Sequence, residues 1–114
     1  MLEIQIVPAG IDPEGRPVGQ AVATESGAAL GSAAFVLDGG QMVIGPVLCG
    51  EDDALADGLI RSCLNWGERR QCQRAVFAPS VDRAMLRRLY HGAADFGIED
   101  VRFFFASCKN CEKF

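Results

Sequence analysis

The chain is poor in what nucleic-acid and membrane proteins need. Lys and Arg number 11 against 15 Asp and Glu, for a formal charge of -4. Phosphate binding draws on clustered cations that release counterions, so DNA and RNA are poor partners for this composition. No apolar stretch approaches the length needed to cross a bilayer. The opening residues, Met1 to Val7, alternate apolar and polar side chains without a basic start or long apolar run, so they are not expected to act as a signal peptide. There is no internal repeat, no low-complexity tract and no Pro/Ser-rich linker. A single domain spanning residues 1–114 is therefore expected.

Histidine is nearly missing as well. His91 stands alone, beside a glycine that can end a helix, where a cation suits the helix dipole. Five cysteines (Cys49, Cys63, Cys72, Cys108 and Cys111) cannot all pair within one chain. Without an export signal they are expected as free thiols in the cytoplasm. Cys108-Lys109-Asn110-Cys111 is a CxxC, half of a zinc site or a redox pair, but no second ligand pair with recognisable spacing accompanies it. Cys49, Cys63 and Cys72 read as small apolar residues.

What is present is a globular balance, 49% hydrophobic and 23% charged residues, with clear periodicities. Leu2 to Val7 alternates as a strand, and Ala9 to Gly19, rich in Gly and Pro, reads as a loop. Gln20 to Glu25 and Ala28 to Leu37 are strands joined at Ser26-Gly27. Asp38-Gly39-Gly40 then turns the chain into a third meander strand, Gln41 to Leu48. Gly45-Pro46 interrupts that strand and predicts a bulge.

Glu51, Asp52 and Asp53 open a helix, because short acidic side chains cap free amides and favour the positive end of the dipole. Leu55, Leu59, Ile60, Cys63, Leu64 and Trp66 form its apolar stripe up to Arg69-Arg70, and the helix is expected to run to about Gln71. Arg74 to Ala78 reads as a short strand, parallel to its predecessor because a crossover helix separates them. A second helix, capped by Ser80, turns Met85, Leu86 and Leu89 inward and Arg83, Arg87 and Arg88 outward. It ends near Gly92, and Val101 to Ala106 makes a last strand. The arginines, with Arg69, Arg70 and Arg74, read as solvated faces. The fold class is α+β: a mixed, largely antiparallel sheet with two main helices.

From Gln20 to Ala106 this order resembles the core of the GNAT superfamily of acyl-CoA N-acyltransferases, shortened by loss of the N-terminal helices. The points of likeness are the bulge at Gly45-Pro46, the strand-loop-helix unit from Val47 to Leu64, and the Leu89-Tyr90 pair. The resemblance implies that backbone near Val47, Leu48 and Cys49 holds the pantetheine of acetyl-CoA or coenzyme A. It implies that the loop ending at Gly58 wraps the pyrophosphate, and that Tyr90 protonates the departing thiolate. In that family the loop is basic and glycine-rich, since bare amides must approach the phosphates. Here Glu51, Asp52, Asp53 and Asp57 stand in it, and no carboxylate on Gln41 to Leu48 offers a general base.

Three functions follow as expectations. The first is an acetyltransferase-fold protein with weak or absent N-acetyltransferase activity. The second is a non-catalytic interaction module working as a homodimer, suggested by Trp66 and Phe103-Phe104-Phe105 as aromatic surface at the sheet margin. The third is a thiol or metal protein using the terminal CxxC.

Overall fold

The computed structural model describes residues 2–90, 97, 98, 100 and 101. Among them, five strands and two helices follow one another as β1 (Leu2–Ile11), β2 (Pro17–Glu25), β3 (Ala28–Asp38), β4 (Gln41–Leu48), α1 (Asp53–Arg69), β5 (Arg74–Phe77) and α2 (Arg83–Tyr90). The sheet order is β1-β2-β3-β4-β5, antiparallel through β4 and parallel between β4 and β5. This is an α+β fold with a mixed sheet, as the periodicities predict, and five of the six expected strands lie among the described residues.

Alternation decides which side of the sheet is core. Ala21 and Ala23 of β2, Ala33, Phe35 and Leu37 of β3, Met42 and Ile44 of β4, and Ala75 and Phe77 of β5 all point to one face and are buried. On that face lies the apolar stripe of α1: Leu55, Ala56, Leu59, Ile60, Cys63 and Leu64. Small alanines on β2 and β3 let the helix approach closely, and large side chains fill the far end, where Phe35 packs against Trp66 with ring centroids 4.8 Å apart. Each large aliphatic or aromatic side chain buried here contributes roughly 1.5–3 kcal/mol. The second helix shares this face, since Tyr90 stacks on Phe77 and Met85 and Leu86 join the same core.

Two expectations need correction. Ala9 to Gly19 is not an open loop: β1 continues to Ile11 and pairs with β2 as far as Ile11↔Pro17, with an irregularity after Pro8. An edge strand tolerates proline because its outer N–H groups need no partner. Asp12 makes the short turn possible, accepting from the amides of Glu14 and Arg16 at 3.0 and 2.8 Å and pairing with the Arg16 guanidinium. The amide of Arg16 holds the Asp12 carboxyl below its usual range. The meander thus has four strands rather than three. In α2, the cap is Asp82 rather than Ser80: its side chain accepts from the Ala84 amide and its carbonyl from Leu86.

The expected bulge is present. Ala33 pairs with Val47 and Phe35 with Ile44, so one residue of β3 faces two of β4, Gly45 and Pro46. Gly45 has φ +138°, and a Cβ there would lie 2.6 Å from Val81 Cγ2. Beyond the bulge β4 no longer pairs with β5, whose ladder ends at Ile44↔Phe77. The outer side of β5 meets Ile98 in an antiparallel bridge with Ala75. The last strand expected at Val101 to Ala106 and the helix end at Gly92 lie outside the described residues, apart from Val101, whose amide donates to the Gln73 carbonyl.

Replacing Gly45 with alanine should destabilise the fold by about 1–3 kcal/mol, read from the midpoint of urea unfolding. An unchanged midpoint would show that the bulge does not depend on this glycine.

Candidate functional site

Where β4 and β5 separate, a cleft of about 320 Å³ opens between the end of β4, the start of α1 and α2. Val47, Cys49, Gly50, Glu51, Asp53, Asp82, Met85 and Arg88 line it. Three of these are carboxylates and one is a guanidinium.

The start of α1 is already occupied by the chain's own groups. Asp52 is the N-cap, and its Oδ1 accepts from the Leu55 amide at 3.0 Å. Asp53, in the first turn, accepts from Nε and Nη2 of Arg88 from α2, at 2.7 and 3.0 Å. This paired geometry is the strong form of carboxylate recognition. Arg88 holds the Asp53 carboxyl below its usual range, which makes it a weak base.

Cys49 lies at the cleft with its thiol donating to the Gly50 carbonyl at 3.6 Å. Burial raises its pKa, and Asp53, Asp52 and Asp82 push it further up by repelling a thiolate. Cys63, deep in the core, is pushed up to about 12 by burial. Cys72 is raised by burial too. All three are free thiols.

The site residues expected from the sequence separate in space. Val47 and Cys49 line the cleft, but Leu48 is 62% exposed and lines a shallow depression with Gln20, Val22 and Leu30. Gly58 is within α1 and serves packing: a Cβ there would sit 3.1 Å from Ile4 Cδ1 of β1. Tyr90 does not line the cleft. Its hydroxyl donates to Asp57 of α1, which also binds Arg61, and its ring stacks on Phe77 at 6.3 Å. The sequence reading missed Asp82, Met85 and Arg88 as cleft residues. Their only signal was position, since α2 follows the strand that diverges from β4.

Among the described residues no group of three or more His, Cys, Asp and Glu is placed to hold a metal ion. Cys108, Cys111, His91 and Phe103 to Phe105 lie outside the described residues. No helix among the described residues is long and apolar enough to cross a membrane. In comparison with known proteins, no family model matches the chain, and no curated protein or solved structure matches it significantly.

With Cys108 and Cys111 replaced by serine, alkylation of Cys49 by iodoacetamide should reach half its limiting rate above the ordinary thiol range. Asp53→Asn should move that midpoint down, because it removes a repelling charge and releases Arg88. A midpoint indifferent to Asp53 would contradict the acidic cleft.

Proposed function

We propose that the protein works by binding rather than by acyl transfer, as a non-catalytic interaction module with an acyltransferase-like arrangement of elements. The observation that carries this reading is the occupied start of α1. A coenzyme's diphosphate needs the bare amides and positive dipole of a helix N-terminus. Here Asp52 takes an amide, and Asp53 takes Arg88, the one arginine lining the cleft among the described residues. Glu51 and Asp82 then line the remaining space, so among the described residues a diphosphate meets like charge there.

The catalytic groups are also committed elsewhere. A proton donor for a thiolate must lie within hydrogen-bond reach of it, whereas the Tyr90 hydroxyl is spent on Asp57. Asp53 is a weak base, and Cys49 is held as the neutral thiol. Tyr90 thereby acquires a structural task, tying the end of α2 to the second turn of α1.

One observation supports a second reading, residual acyl-CoA binding. The cleft lies where β4 and β5 diverge, with Val47 on its wall, and an unpaired strand can receive an extended arm by added-strand hydrogen bonding. Pantetheine, which lacks the diphosphate, distinguishes the two: it would bind more tightly than coenzyme A only if the cleft takes the arm and rejects the charge.

Calorimetric titration with acetyl-CoA should show no saturable heat, and no acetyl product should form with amine acceptors. Saturable binding together with turnover would overturn the non-catalytic reading. Tyr90→Phe should lower stability by about 1 kcal/mol through loss of its hydrogen bond, measured by urea unfolding. A stability equal to the parent's would remove the structural task assigned to Tyr90.

A further inference from the structure

Both helices lie on one face of the sheet. Among the described residues no helix covers the other, and its composition follows from the strand registers. Val18 pairs with Val36, Val36 with Val43, and Val43 with Val76, so four valines from β2, β3, β4 and β5 form one row across the outer face. All four are half-buried, as side chains are when neighbours shield them along a sheet. To one side, Val7, Gln20 and Ala34 form a second row without charge. To the other, Asp38 pairs with Gln41 and Gln41 with Arg74, giving a rim row that reads acidic, neutral, basic across β3, β4 and β5.

We infer that this outer face is the interface of a homodimer, with a second copy packed face to face about a two-fold axis lying along β4. The rim charges select this occupant. Rotation about that axis preserves position along the strands and exchanges β3 with β5. Asp38 of one protomer then faces Arg74 of its partner and the reverse pair forms symmetrically, while Gln41 meets Gln41. In the next row Val43 meets Val43 and Val36 meets Val76. Such a surface is complementary to itself, which an isologous interface requires. Two sheets packed in this aligned manner lie about 10 Å apart with their side chains interleaved. Asp38 has an ion pair within its own protomer, to Arg16 at 3.7 Å, long enough for the carboxylate to serve a second cation.

The cleft is bounded by α1 and α2 on the opposite face, so dimerisation and the absence of catalysis fail separately. A dimer that acetylates amines would sink only the proposed function; a monomer that binds no coenzyme would sink only the dimer.

Sedimentation equilibrium of the full chain, over micromolar to hundreds of micromolar concentrations, tests the interface. The parent should sediment as a dimer. Val43→Lys should weaken association about 30-fold or more, the effect of burying a charge at an interface centre, while circular dichroism shows the fold retained. Asp38→Arg and Arg74→Asp should each weaken it several-fold, and the double exchange should restore it. That restoration also decides the matter if Val43→Lys does not fold. A dimer unaffected by all these changes would overturn the inference in favour of another surface. A monomer would overturn it too: if the Val36 and Val43 methyls are shielded from a soluble paramagnetic agent, the chain's own remaining residues cover the face, and if they are accessible, nothing does.

Discussion

The bulge at Gly45-Pro46 is the constraint on which the cleft depends. An extra residue in one strand breaks the ladder locally and bends the strand that carries it. Up to Ile44, β4 is an interior strand, paired with β3 on one side and β5 on the other. Past the bulge it keeps β3 through Val47 and Ser32↔Leu48 but parts from β5. The close approach of Val81 to Gly45 brings the segment leading into α2 against the point of separation. The lining of the cleft by Asp82, Met85 and Arg88 follows from that placement.

Charge, more than shape, then limits what this cleft can do. A strand end beside a helix N-terminus is a common anion site because unpaired amides and the dipole act together. In this chain the same location is furnished with its own anions. Asp52 caps, Asp53 recruits Arg88, and Glu51 and Asp82 remain on the wall. These contacts favour the helix and its docking on α2 while withdrawing the groups that would bind a phosphate. At Cys49 burial raises the thiol pKa, and the carboxylates that crowd it raise it further.

The local signals in the sequence were strong where one residue type dictates the backbone. Ser26 and Gly27 both adopt positive φ, as a two-residue hairpin turn requires, and Gly39 does so at the next turn. Asp52 caps α1 as its position before the apolar stripe implies. Signals failed where a distant partner decides. Pro8 and Gly10 look like breakers, yet β1 continues because it is an edge strand and Asp12 closes the turn behind it. Gly58 looks like part of a phosphate loop, and its purpose is visible only once Ile4 lies against α1. Leu48 faces away from the cleft because the bulge resets which side chains point where. Tyr90 meets Asp57 from 33 positions away, a contact no spacing rule anticipates.

Amide chemical shifts during titration of the isotope-labelled chain with coenzyme A test the central claim most directly. If the start of α1 is already filled by Asp52 and the Asp53–Arg88 pair, the amides of residues 47–55 should not move at millimolar coenzyme. Saturable shifts confined to Val47, Cys49 and the first turn of α1 would contradict the account, because they would show that the diphosphate displaces the carboxylates.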